Sequence, residues 1–192
     1  MGYPVDKKAQ VHAELALLTP RLSAFAAALA GTEGTKEGLL KATRGQALAR
    51  AAKDRGNAPL LLWCFALMRS LWTIRSKSMS SAERLIADPR LFQPRSSLQG
   101  EDASGAARTA RFIAQLSPQQ RGMLHLVYGE RLSYDMVAEV FGVEVSTVMT
   151  QLAQAHAALI ALEDQAMAAA PMAAAAAAQR LQEGPRGREW AA

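Results

Sequence analysis

Leu15, Leu18, Leu22, Phe25 and Leu29 recur at intervals of three and four, which sets them along one face of a helix. Pro20 falls inside this run and predicts a break, with a fresh helix start after Thr19. Gly31 and Gly34 stop the segment. A second helix is expected over residues 35–55, with Leu39, Leu40, Ala47 and Leu48 inward and Gly56 closing it. Pro59 then opens a third helix that carries Leu62, Trp63, Phe65, Ala66, Met68, Arg69, Leu71 and Trp72 and trails into a basic, polar run at residues 75–81. Three helices around Leu, Trp and Phe make a first compact unit.

Residues 88–107 interrupt the periodicity with Pro89, Pro94, Ser96, Ser97, Gly100, Ser104 and Gly105, a composition that predicts a flexible connector. Beyond it Ser117-Pro118-Gln119-Gln120 has the form of a helix start, with Ser117 as N-cap and proline at the first helical position. Met123, Leu124, Val127 and Tyr128 follow at core spacing, Gly129 ends that helix and Ser133 caps the next. Ala138, Gly142 and Val148 then stand four and six apart. The small residue lets two helices approach, the glycine permits a left-handed turn and the β-branched residue anchors a second helix, which is the spacing of a helix-turn-helix. Val137, Phe141 and Val143 fill the angle between the two helices, and Leu152, Ala155 and Leu159 extend the buried stripe.

Strand-like alternation is scarce, so the fold class is all-α: two small helical domains joined by a flexible linker. The expected divisions are a three-helix unit at 11–84, the linker at 85–108, the helix-turn-helix unit at 109–164 and an alanine-rich tail at 165–192. Pro171 and Met172 in that tail suggest a helix that breaks and restarts, or a low-complexity extension.

Charge changes the picture of the second unit. The chain has 22 Lys+Arg against 17 Asp+Glu, +5 overall. Residues 1–131 hold nineteen basic and ten acidic groups, whereas residues 132–179 hold no lysine, no arginine and five carboxylates: Asp135, Glu139, Glu144, Glu163 and Asp164. An anionic partner is therefore expected mainly on the first two thirds.

The segment LSPQQRGMLHLVYGERLSYDMVAEVFGVEVSTVMTQLAQAHAAL, residues 116–159, resembles the promoter-reading carboxy-terminal domain of the extracytoplasmic-function sigma factors of bacterial RNA polymerase. The stretches PRLSAFAAALAG and NAPLLLWCFALMRSLW are similar to that family's amino-terminal helical domain, and the order of parts also matches over residues 11–164. The resemblance implies a three-helix sigma-2-like unit, a sigma-4-like helix-turn-helix unit, RNA polymerase core as partner, and DNA as ligand. It also implies that Leu39, Leu40 and Arg44 face polymerase, and that Arg69, Trp72, Arg75 and Lys77 face nucleic acid, where aromatic and basic groups side by side suit unstacked bases. The alternative places Trp63 in the core and Trp72 half buried, and for Trp63 the core is the favoured reading.

The departures from the family bear on mechanism. Where the second helix of the hairpin usually continues with lysine and arginine, this chain has Met149, Gln151, Gln154 and His156. Each phosphate contact contributes roughly 0.9 to the salt slope of binding, so four lost cations flatten that slope by about 3 to 4. Ser146, Thr147, Thr150, Gln151 and Gln154 retain groups able to read base edges if another factor supplies docking energy, or else form a solvated or protein-facing polar surface. Gly38, Lys41 and Ala42 stand where the family carries polar contacts to the polymerase clamp.

Three roles remain open at this level: an alternative sigma factor that works with an accessory transcription protein, a non-initiating regulator of elongation or termination (antitermination), and a mimic that binds an anti-sigma factor. No enzyme is expected, because no nucleophile or phosphate-cradling loop accompanies Asp135 and Glu139. No metal or cofactor is expected either, since His12, His125 and His156 share no ligand spacing with Cys64. Asp6, Lys7, Lys8 and Glu14 interrupt any signal-like run, and the longest uninterrupted apolar run, residues 60–68, is nine residues. A cytoplasmic, nucleoid-associated protein without a membrane partner is the resulting expectation.

Overall fold

The computed structural model describes residues 7–79 and 105–182. They form α1 (Lys7–Ala30), α2 (Glu33–Asp54), α3 (Leu60–Ser78), α4 (Gly105–Ala114), α5 (Pro118–Leu124), α6 (Tyr134–Phe141) and α7 (Val145–Gln182), with no strand among the described residues. A π-turn over His125–Gly129 prolongs α5. Most of the predicted connector lies outside the described residues, but its final positions, from Gly105 on, already belong to α4.

Two expectations at prolines are corrected. α1 runs through Pro20 without a break. The ring sits on the exposed side of the helix, so the carbonyl it leaves without a donor faces water, while Leu15, Leu22, Phe25 and Leu29 stay buried on the opposite side. The alanine-rich segment behaves likewise: α7 continues from the hairpin through Pro171 as one helix to Gln182, where alanine's high helix propensity offsets a single proline.

The local stop signals act as the sequence suggests. Ser117 accepts the Gln120 amide while the Gln120 side chain accepts the Ser117 amide, a complete capping box. Ser133 caps α6 by accepting from the Met136 amide. Gly142 ends α6 at φ 60°, ψ 46°, and the Val143 amide donates back to the Ala138 carbonyl at 3.1 Å. A side chain is strained in that left-handed conformation, which is why glycine occupies the turn.

The core is shared between the two halves of the chain. Phe25 of α1 lies edge-on to Phe65 of α3, with ring centroids 4.9 Å apart, and to Phe141 of α6 at 6.4 Å, and it stacks on His125 beyond α5 at 6.0 Å. Leu22, Leu29, Met68, Met123, Leu126 and Val137 complete this buried cluster. α1 packs on α5 and α3 packs on α6, so helices of the first unit form two walls around the hairpin. Stretches of α1 and α7, Ala9–Ala30 and Val145–Ala169, are long and apolar enough to cross a bilayer by length and composition. In α1, Leu15, Leu22, Phe25 and Leu29 are instead placed in this core, while Leu17 is exposed.

Candidate nucleic-acid and partner interface

The junction between the halves is built around Arg121, which is 6 % exposed. Its Nε donates to the Ala28 carbonyl at 2.7 Å, its Nη1 to the Leu116 carbonyl at 2.7 Å and the Ala114 carbonyl at 3.2 Å, and its Nη2 reaches the Leu29 carbonyl at 3.5 Å. Ala28 and Leu29 belong to the last turn of α1, Ala114 is the last residue of α4, and Leu116 lies in the bend just beyond it. The carbonyls of a final turn have no intrahelical donor and carry the negative end of the helix dipole. One guanidinium, with five donors in a fixed fork, therefore caps the ends of two helices drawn from different halves of the chain.

Gly122 allows that approach. A Cβ at this position would stand 2.9 Å from Leu29 Cδ2 and 3.0 Å from Phe141 Cζ, closer than packed carbons come. Glu130 adds an ion pair with Arg21 across the junction, and its other oxygen lies 3.6 Å from His125 Nε2. Burial, the largest influence, holds the His125 imidazole below its ordinary value, while the Glu130 carboxylate acts in the opposite direction. Burial likewise pushes the Cys64 thiol up to about 11, which leaves it an inert core group.

This packing decides where the sequence-predicted residues lie. Arg69 is half-buried, its guanidinium 5.9 Å from the centre of the Phe141 ring and 3.9 Å from the point where a Gly142 Cβ would stand. Trp72 is half-buried and packs on the core, as does Trp63. Arg75 and Lys77 are exposed at the end of α3. Arg75 lies over α2, 3.4 Å from a would-be Cβ on Gly38. Thus α3 gives Arg69 to the hairpin turn, and Arg75 and Lys77 remain as its cationic surface.

On α2, Leu39 is 2 % exposed and cannot meet a partner in this conformation, a correction to the surface role expected of it. It follows from helical register: Leu39, Thr43 and Ala47 all face the core. Leu40 and Arg44 do reach the surface, where with Glu37 and Lys41 they line a pocket of about 240 Å³. A larger cavity of about 420 Å³ at the junction is lined by Ile113, Leu124, Tyr128, His156 and Leu159 among others.

The first turns of α7 divide into a buried and an exposed side. Val148, Leu152 and Ala155 are buried; Ser146, Thr150 and Gln154 are exposed, and Thr147 and Gln151 half-exposed. Their polar groups are partly engaged with one another. The Thr150 hydroxyl donates to the Ser146 carbonyl at 2.9 Å, and the Gln151 side-chain amide donates to the Gln154 side-chain oxygen at 3.2 Å. Sequence reasoning missed Arg121 as the junction residue, because nothing in its spacing marks it apart from a surface arginine.

Residues 107–159 match the family model for sigma-70, region 4. No curated protein matches the chain. Among solved structures it is similar to the sigma factor RpoE of Bartonella quintana, in its co-crystal with the anti-sigma factor NepR. The TM-score is 0.62 and the identity 21 %, with 80 % of this chain and 96 % of that chain covered, a likeness of fold. Residues 107–159 are thus similar to sigma-70 region 4, and most of the chain shares the helical fold of that solved sigma factor.

Proposed function

We propose that this protein is a sigma-like transcription regulator that associates with RNA polymerase core and acts at promoter DNA with the help of an accessory protein. The observation that carries the reading is a region 4 hairpin with an intact capped turn whose described helices hold no lysine or arginine from residue 132 to 179. A scaffold of this kind keeps the shape that meets the transcription machinery but lacks the phosphate-neutralising charge that duplex binding draws on. Arg75 and Lys77 are the cations of α3 that remain exposed for nucleic acid, and Leu40 and Arg44 those of the α2 candidates that remain at the surface for polymerase.

One observation favours a second reading, a regulator that travels with elongating polymerase and does not initiate. Arg69 and Trp72, expected on unstacked promoter bases, are packed against the hairpin and the core. Co-purification with core polymerase at moderate salt tests what the two readings share, and its absence leaves only a mimic that binds an anti-sigma factor. Run-off transcription with core enzyme separates them: promoter-specific initiation supports the first, and a change confined to readthrough of terminators supports the second.

A further inference from the structure

The exposed sides of α6 and of the start of α7 carry a combination that the packing of the fold does not use. Tyr134, Met136 and Met149 are 40 %, 43 % and 55 % exposed, and Asp135, Glu139 and Glu144 are exposed among them. The buried sides of the same helices, Val137, Ala138, Val140, Phe141, Val148 and Leu152, already form the core, and the six exposed side chains lie outside it. We infer that this face of the hairpin is a docking surface for a cationic, amphipathic segment of a second protein, with Asp135, Glu139 and Glu144 meeting its lysines and arginines and Tyr134, Met136 and Met149 its apolar side chains.

Three features set this occupant above a DNA duplex. The start of α6, a position at which a helix would otherwise attract phosphate through its free amides, is closed by the Ser133 cap and the Asp135 carboxylate. A duplex would face carboxylates with no cation between residues 132 and 179 to offset them. Two of the candidate base readers already spend a donor within the helix, the Thr150 hydroxyl on the Ser146 carbonyl and the Gln151 amide on the Gln154 side-chain oxygen. Two methionines and a tyrosine suit a protein partner, because the unbranched thioether adapts to irregular apolar surfaces and the phenol offers both a ring and a polar tip. The charge pattern also supplies steering: opposite signs across an interface raise association rates and exclude wrong partners.

The inference rests on the polymerase-linked reading above and names the chemistry of the companion it requires. Its test uses the full chain, isotopically labelled, titrated separately with a synthetic amphipathic peptide of leucine, lysine and arginine and with a promoter-length DNA duplex. The expected result is salt-sensitive peptide binding that shifts the amides of residues 134–150, weakened about tenfold or more in Glu139→Lys/Glu144→Lys and also weakened in Met149→Ser. Should the double reversal fail to fold by circular dichroism, Glu139→Gln/Glu144→Gln gives the same reading with smaller amplitude. The inference is overturned if the peptide shifts other residues, if binding ignores these substitutions, or if the duplex is what shifts residues 145–154. Concentration-dependent self-association through these same amides overturns it too, in favour of a second copy of the chain. Polymerase co-purification of the unsubstituted protein is scored in parallel. Its loss with peptide binding intact removes the polymerase reading alone, and its persistence with peptide binding absent removes the docking surface alone.

Discussion

The first half of the molecule is basic and the second, from residue 132 to 179, is purely acidic in its fixed charges, yet the two halves meet across one apolar core. The basic half resembles a nucleic-acid binder in composition, but the structure turns Arg69 to Phe141 and pairs Arg21, at the surface, with Glu130 of the other half. The acidic half resembles a DNA reader in shape, but its outward groups are carboxylates, methionines and amides. Shape and charge have therefore been assigned to different halves. Neither half alone has both of the properties that would let it grip a duplex.

The junction is the place to break this comparison. Replacing Arg121 by alanine strands the carbonyls at the ends of both α1 and α4, and loss of a buried charged donor set costs about 3 kcal/mol or more. Thermal unfolding is expected to move down by roughly 6–12 °C. Fluorescence of Trp63 and Trp72 in the first half and chemical shifts of α6 in the second should shift together; separate transitions would show two independent domains. Arg121→Lys keeps the charge without the planar fork and should recover only part of the loss.

Gly122→Ala adds a methyl group where Leu29 and Phe141 leave no space. Overpacking of this sort costs about 1–3 kcal/mol. The expected outcome in denaturant titration is a lower midpoint with a smaller loss than for Arg121→Ala. An unchanged midpoint would mean that α1 and α5 separate freely.

The smallest effect concerns pH. Burial lowers the His125 pKa in the folded protein, against the neighbouring Glu130 that itself pairs with Arg21, so the unfolded chain takes up this proton first. Stability is full above the ordinary value of 6.5 and is lost as pH falls through it toward the lower folded value. His125→Gln should flatten that part of the stability profile, measured as melting temperature against pH. A wild-type profile that rises on acidification would reverse the sign and assign dominance to Glu130.

Much of the fold could be read from local signals. The Ser117 and Ser133 caps, the Gly142 turn and the Leu15–Leu29 stripe depend on residues a few positions apart, and each acts in the structure as its spacing suggests. The sequence-based reading failed where the outcome depended on distant neighbours. Pro20 and Pro171 signal breaks locally, and exposure on one side of a long helix removes their effect. Leu39 looks like half of a surface pair with Leu40, and only the packing of α2 on α1 and α3 separates their fates. Arg69 and Arg121 are ordinary basic residues until Phe141 in one case, and the ends of α1 and α4 in the other, are brought beside them. Charge depletion after residue 131 was visible throughout, since it requires no contact to be known.

The double cap at Arg121 has a kinetic meaning. A seam held by scattered side-chain contacts can loosen a little at a time, whereas a single planar group serving carbonyls at the ends of two helices and in the bend between α4 and α5 releases them nearly at once. Separation of the halves should then proceed as a discrete event with its own barrier, and a companion protein that prises them apart would act as a trigger rather than a dial.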